Sequence, residues 1–443
     1  MADQAAAVAA TSGVGAPRHL SGRSVGSWVL YDLANTCFSL GVVTLYFPQF
    51  LRGVLGGGDA ELGLLEAAAA AVVFVAAPVL GAISDQASRR LPFLAISTVL
   101  CVLATFFLAQ PSSGLSFALF AVAVFCYQSG LIFYDSLLPE VSTDQNRGRI
   151  GGIGVGVGYI GSLLAFGIGS LVLAISPGRS VETYAWVFRG IAIGFLVFAT
   201  PAFLFVRERR RVVPPMSWRI APDAFSQLAS TARQARRYPG LGRFLLGRMF
   251  YADAANTLIF MVVPYAMVSL GMTETEAGGA AILSIVAAIP AGLVWGQVVD
   301  RVGPRRTLGV VLVSWVCIFA LVAAIPVAGL PSELIYLAGL LVGIALAGLW
   351  ASDRPLMARL APPRYYGQFF GLYSMVGRFG AVVGPFMWGV IADDKLLGWG
   401  QPAAVVFLLV WMVIAFLLVR GVDDRLRTWG PEDLPELEEE VAR

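Results

Sequence analysis

Six apolar runs, near residues 26–50, 62–83, 92–110, 115–138, 150–175 and 184–206, alternate with short polar breaks. Six more follow near 242–270, 276–299, 307–327, 332–353, 367–391 and 402–420. Each approaches the roughly 20 apolar residues that cross a bilayer as a helix at about 1.5 Å rise per residue. The longest polar interval, 207–241, divides the runs six and six. The pattern predicts an all-α polytopic membrane protein with twelve transmembrane helices in two bundles. Its parts are a tail over 1–25, a first bundle over 26–206, a central loop over 207–241, a second bundle over 242–420 and an acidic tail over 421–443.

The two halves repeat. "YDLANT" (31–36) returns as "YADAANT" (251–257), which aligns Asp253 with Asp32 at an offset of 253 − 32 = 221. "GAISDQASRR" (81–90) matches "GQVVDRVGPRR" (296–306), aligning Asp85 with Asp300, and "YDSLLPE" aligns Asp135 with Asp353. Gly148, Gly152, Gly158 and Gly161 recur as Gly367, Gly371, Gly377 and Gly380, all at one offset, 367 − 148 = 219. Ordered matches at a nearly constant offset indicate two pseudo-symmetric six-helix bundles related by an axis along the membrane normal. That is the arrangement of a secondary transporter with its substrate site between the halves.

Composition agrees with the pattern. The 443 residues are 58% hydrophobic and 13% charged, where soluble chains carry about a quarter charged residues. Mean hydropathy is +0.76. The net charge of +3 matters less than its distribution. Arginines crowd the ends and alternate loops: Arg18 and Arg23, Arg89 and Arg90, Arg147 and Arg149, the run around Arg207–Arg211, Arg301, Arg305 and Arg306, Arg359 and Arg364, and Arg420–Arg427. The other loops hold only Arg52, Arg179 and Lys395. Positive residues stay inside, so both termini are expected in the cytoplasm of a cell membrane. No cleavable signal peptide is evident over 1–25. Nothing points to nucleic acid.

The central interval contains "DAFSQLASTARQARR", whose Phe225, Leu228, Ala229 and Ala232 share one face of an expected basic amphipathic helix on the inner leaflet. The end "DLPELEEEV" reads as a solvated acidic helix. Cys37, Cys101, Cys126 and Cys317 form no CxxC pair and read as small apolar filler. The glycine-rich run 151–169 follows no strand, so it reads as close helix packing rather than a phosphate loop.

Candidate chemistry lies inside the spans. Asp32, Asn35 and Thr36, at i, i+3 and i+4, share one helix face, as do Asp253, Asn256 and Thr257. An intramembrane carboxylate costs several kcal/mol unless paired, protonated or hydrated, which marks it as a functional candidate. The competing role is structural hydrogen bonding between helices. Arg378, deep within its span, needs an anion, and Asp253 is the expected partner. The aligned first-half position, 378 − 219 = 159, is Tyr159, expected to hydrogen-bond Asp32. On this reading Asp253 is held ionised while Asp32, without a cation, exchanges protons. Arg378 binding a substrate carboxylate is the alternative. Asp135, Asp353 and Arg354, at the inner ends of spans 4 and 10, read as gating or capping. Glu66 and Arg189 read as structural.

The Gly-x-x-x-Asp-Arg-x-Gly segment with its basic pair, at 296–306, resembles the cytoplasmic loop signature of the major facilitator superfamily. Gly81, Asp85, Arg89 and Arg90 match its first-half copy, with Gln86 and Ser88 departing, and Gly296, Asp300, Arg301, Arg305 and Arg306 match the second. The glycines admit a neighbouring helix, and each aspartate can sit at a helix N-terminus. "SWVLYDLANTCFSLGVVTLYFPQF", "FYDSLLPEVS" and "RPLMARLAPPRYYGQFFGLYSMVGRFGAVVGP" resemble the vacuole effluxer-like branch, which includes fungal vacuolar amino-acid effluxers. Where that branch has Asp-Trp-Ala-Asn-Ser, this chain has Asp32-Leu33-Ala34-Asn35-Thr36. The resemblance implies the major facilitator fold and small-solute export.

The sequence therefore points to a secondary transporter working by alternating access, with proton-coupled export of amino acids or similar amphiphiles as the leading reading. Cation-coupled sugar uptake and drug or lipid efflux stay open, as does a non-transporting receptor or scaffold. The expected partners are a small-molecule substrate, a proton or another coupling cation, and membrane lipids, with a monomeric protein. No cofactor, metal cluster, nucleophile elbow or Walker loop is present, and the only histidine is His19, so an enzyme is not expected.

Overall fold

The computed structural model describes residues 21–57, 59–176, 178–213, 238–393 and 396–436, leaving out some side chains of 59–70 and those of 379–382. The expected amphipathic helix, the Glu66 side chain and Lys395 lie outside the described residues. In hydrocarbon every backbone polar group must be satisfied within its own segment, and long helices are the form the chain takes. They are α1 (Gly22–Gly53), α2 (Asp59–Gln86), α3 (Leu91–Phe106), α4 (Ser113–Ser136), α5 (Arg147–Ile175) and α6 (Val181–Phe205). The second set is α7 (Leu241–Leu270), α8 (Glu274–Val302), α9 (Pro304–Val327), α10 (Leu334–Leu360), α11 (Tyr366–Ala392) and α12 (Gly400–Arg420). Among the described residues, ten helices are long and apolar enough to cross a membrane. Two shorter apolar helical stretches, Ala71–Gln86 within α2 and Leu91–Phe106, stand where the second and third spans are expected.

Local sequence explains the boundaries. Ser112 and Ser180 accept the amides of Leu115 and Thr183 and start α4 and α6. Thr273 and Glu276 form a reciprocal capping box at α8. Gly303, at φ 98°, turns the chain sharply from α8 into Pro304 at the start of α9. Within α1, residues Ser39–Tyr46 widen into π-helical turns just beyond Asn35 and Thr36.

Packing follows the repeat pair by pair. Helix α1 packs on α5 and α6, as α7 packs on α11 and α12. The pairs α3–α4, α3–α6 and α2–α4 recur as α9–α10, α9–α12 and α8–α10. Each half has its own apolar core, around Phe38, Phe47, Phe120 and Phe188 in the first and Trp315, Phe319, Phe369 and Leu408 in the second. Side chains such as Ile96, Leu103, Leu171, Val268 and Val310 stay exposed on the outside, as a lipid-facing surface requires. The bundles meet along α5–α8 and α2–α11, which are symmetry equivalents, and along α5–α10 and α4–α11, which are also equivalents. With twelve spans, both described chain ends and the arginine-rich loops lie on one face.

The segments after α6 and α12 are held against the bundle ends. The stretches 206–211 (VRERRR) and 422–427 (VDDRLR) are a further repeat, at an offset of 422 − 206 = 216. Glu208 accepts the amides of Arg90 (2.6 Å) and Leu91 (2.9 Å) at the start of α3. Asp424 accepts the amide of Arg305 (3.2 Å) at the start of α9. The Val212 amide donates to the Glu436 carbonyl (2.9 Å) and the Tyr238 hydroxyl to Asp433 (2.7 Å), so 434–436, which follow the short 3-10 turn Pro431–Asp433, run as a strap along the arginine-rich face, and the rest of the expected acidic helix lies outside the described residues.

Candidate functional site between the bundles

Small residues let the bundles touch. A β-carbon at Gly81 would stand 2.6 Å from the Gly367 carbonyl oxygen, and one at Gly152 would stand 2.8 Å from the Gly296 nitrogen. Both distances are far inside van der Waals contact, so glycine is what permits these seams. Beside them, each loop aspartate reaches across to the other bundle. Asp85 of α2 accepts the Gly367 and Gln368 amides at 2.7 Å each, at the N-terminus of α11. Asp300 of α8 accepts the Gly148 and Arg149 amides, at 2.7 and 2.9 Å, at the N-terminus of α5. Both contacts join an anion to the positive end of a helix dipole. Arg90 is buried, bonding Asp85 (3.2 Å), Ser84 Oγ and the Ser136 carbonyl. Arg211 joins this cluster through the Ser84 carbonyl (2.7 Å) and Asp85 (3.8 Å). In the second half Arg305 bonds the Arg420 carbonyl, whereas Arg89, Arg301 and Arg306 point outward.

Deeper in the seam lies an ionic cluster. Arg354 of α10 extends into the first bundle and reaches Asp32 of α1 (3.2 Å) and Asp135 of α4 (3.1 Å). The contact to Asp32 is hydrogen-bonded; the contact to Asp135 is an ion pair without hydrogen-bond alignment. All three side chains are at most 15% exposed. The neighbouring Asp353 turns into its own bundle and pairs with Arg248 of α7, which also bonds the Tyr373 carbonyl (3.2 Å) and lies over the Tyr373 ring. Arg378 of α11 donates across the seam to Gln128 of α4. Three cations, Arg248, Arg354 and Arg378, and three carboxylates, Asp32, Asp135 and Asp353, thus meet around the junction.

Three sequence-based expectations are corrected here. Asp32 does not lack a cation, because Arg354 is its partner. Arg378 does not pair with Asp253. The residue of α11 beside Asp253 is Gly384, six positions and about 9 Å along the helix from Arg378. Tyr159 does not hydrogen-bond Asp32; its hydroxyl partner is Trp350. Arg354 and Asp135, expected as gating or capping residues at the inner ends of spans 10 and 4, lie in the cluster. Arg189 stacks on Phe106 and Trp186 at the opposite face.

Asp253 stands apart from the cluster. One oxygen accepts the Gly384 amide at 3.0 Å; the other, and the Thr257 hydroxyl, have no hydrogen-bond partner, and both residues are fully buried. Asn256 is half-buried. In the first half Thr36 donates to the Asp32 carbonyl (2.9 Å), and both amide atoms of buried Asn35 are unpartnered. Sequence reasoning missed Arg248, Gln128 and Glu208. Arg248 lies five positions before Asp253, which sets it about 140° away around α7, toward α10 rather than Gly384.

Residues 62–426 match the family described as vacuole effluxer Atg22 like. The chain belongs to that family. It is 26% identical over 422 residues to the uncharacterized MFS-type transporter YxiO of Bacillus subtilis, covering 91% of this chain and 95% of that one. It is 26% identical over 299 residues to autophagy-related protein 22-1 of Penicillium rubens, covering 62% of this chain but 49% of the fungal protein, so the match spans about half the fungal length. Among solved structures, the human organic anion transporter MFSD10 (TETRAN) superposes with a TM-score of 0.68 at 16% identity, over 90% of this chain and 99% of that one. FucP in its outward conformation superposes with a TM-score of 0.65 at 15% identity, over 91% and 99%. Both likenesses show the major facilitator fold. The chain is a multi-pass membrane protein and an MFS-type transporter of the vacuole effluxer Atg22-like family.

Proposed function

We propose that the protein is a proton-coupled exporter of amino acids or similar small amphiphiles, working by alternating access in the cell membrane with both termini cytoplasmic. The observation that carries the reading is Arg354, a cation of one bundle held by two buried carboxylates of the other. Such a contact exists only while the arginine-rich face is closed. Separating the bundles there strands a guanidinium and two carboxylates, so opening requires replacements. A zwitterionic solute supplies both, its carboxylate for Arg354 and its ammonium for Asp32 or Asp135. The unpartnered Asn35 amide offers a further donor and acceptor beside Asp32. The caps made by Asp85 and Asp300, with the Gly81 and Gly296 seams, act as the gate on the same face, and Arg90 and Arg211 hold Asp85 in place. The structure then corresponds to an outward-facing state. The family description, vacuole effluxer, supports export.

The test is transport in proteoliposomes with a mixed pool of labelled amino acids. Accumulation driven by a pH gradient and abolished by a protonophore is the expected result. Accumulation of a sugar in place of every amino acid would overturn the substrate class, and accumulation indifferent to the pH gradient would overturn the coupling.

A further inference from the structure

The duplicated triplet provides an internal control. In the first half, Asp32 is neutralised by Arg354, and Thr36 makes the ordinary backbone hydrogen bond one helical turn back. In the second half neither holds. Asp253 Oδ1 accepts the Gly384 amide, but Oδ2 has no partner, and the Thr257 hydroxyl makes no hydrogen bond. Both residues are fully buried. The three oxygens converge on Gly384, where an added β-carbon would stand 2.6 and 2.8 Å from the two carboxylate oxygens and closer still to Thr257 Oγ1. The aligned first-half position, 384 − 219 = 165, is Ala165, so the glycine that makes room belongs to the second copy alone.

Two orphaned buried oxygens facing one glycine are costly, because each loses water without gaining a partner. An uncompensated carboxylate in such a place costs several kcal/mol more. Among the described residues no charged group relieves it. On α7, Arg248 is committed to Asp353 and Tyr251 is neutral; on α11, Arg378 is committed to Gln128 and Tyr373 lies against Arg248. On α10, Arg354 is committed to Asp32 and Asp135; on α8, Glu274, Glu276, Asp300 and Arg301 lie at the helix ends; on α12, Gln401 bonds Ser269. Among the described residues no ion pair reaches Asp253.

We infer that the Asp253, Thr257 and Gly384 cradle is the seat of the coupling proton. A proton on Asp253 neutralises the carboxyl beside the Thr257 hydroxyl, while Oδ1 keeps the Gly384 amide. One added proton removes the uncompensated buried charge. A metal cation fits less well. With Oδ1 already facing an N–H, only two oxygens remain, whereas hard cations such as calcium and magnesium gather about six. The substrate cluster around Arg354 and the proton seat are then separate, and coupling passes between α7 and α11 within one bundle. This assignment rests on the proton-coupled reading above.

The proton itself is the probe. In purified, reconstituted protein, infrared difference spectra across a pH titration are expected to show a protonated-carboxyl band that is lost in Asp253→Asn and kept in Asp32→Asn. Thr257→Val should shift its titration midpoint and Thr257→Ser should restore it. A carboxyl signal unchanged in Asp253→Asn overturns the assignment. So does loss of the signal on replacing choline chloride with sodium chloride at fixed pH, since the ligand would then be sodium. In proteoliposomes, wild-type protein that accumulates solute on a pH gradient while Asp253→Asn does so equally refutes the seat alone. Wild-type protein that keeps the carboxyl signal but ignores a pH gradient refutes the proton-coupled function and leaves the seat standing.

Discussion

Replacing Arg354 by Gln should be the most damaging single change in the seam. At 3.2 Å and an effective dielectric of about 20, the guanidinium attracts Asp32 by about 5 kcal/mol, and Asp135 at 3.1 Å by a similar amount. Desolvation cancels much of this, so the net value of the intact cluster is small. Removing one partner of a buried pair still costs about 3–5 kcal/mol, because the charge left behind stays desolvated. Arg354→Gln leaves two such carboxylates. Asp32→Asn leaves Arg354 with Asp135, so it should cost less, as should Asp135→Asn. The double variant Arg354→Gln/Asp32→Asn should be more stable than Arg354→Gln alone, by about 2 kcal/mol, or about thirtyfold in an equilibrium. The assay is a double-mutant cycle on thermal unfolding in detergent micelles. Effects that add to within about 0.5 kcal/mol would show that the two residues do not interact, and the latch would be refuted.

Other consequences follow from the same geometry. Asp85→Asn and Asp300→Asn should each slow turnover while leaving substrate affinity nearly unchanged, since each loses two charge-assisted bonds to a helix terminus, worth about 1.5–3 kcal/mol apiece, outside the cluster; equilibrium binding set against flux separates the two effects. Gly81→Leu should hold the arginine-rich face open, read as greater labelling of a cysteine introduced at Gln368. Glu208 is raised above its ordinary 4.5 by burial; its protonation therefore favours the folded state, and its contribution is complete below 4.5 and lost as pH rises through the folded value. Glu208→Gln should flatten the pH dependence of thermal stability in that window. A reporter fused after Arg211 should read as cytoplasmic and one after Arg179 as external.

Much of the architecture was legible because the bilayer imposes it. Apolar run length gave the spans, and the repeat gave helix pairs that the packing reproduces one for one. Asp85 and Asp300 could be placed at helix N-termini because their glycine and arginine spacing is local. The ion pairs were not legible, for a physical reason. A repeat shows which residues are equivalent, not which ones touch. Arg354 has Ser136 as its aligned first-half residue, at an offset of 354 − 136 = 218, so nothing in the repeat pointed to a cation reaching across to Asp32. Arg378 and Asp253 were matched on depth alone, and an error of a turn or two moves a side chain both along and around the helix. Glu208 and Asp424 were findable, since 206–211 and 422–427 repeat as plainly as the longer motifs. Their strong charge made them read as solvated.

Paired distance measurements on the two faces test alternating access most directly. Spin labels at the exposed positions Arg149 and Arg301 report the arginine-rich face, and labels at Arg179 and Glu274 report the opposite one. Pulsed electron resonance in liposomes should find two distances for each pair. In Arg354→Gln the long distance at Arg149/Arg301 should gain population while the long distance at Arg179/Glu274 loses it. A single unchanging distance on either face, or two faces that open together, would contradict the account.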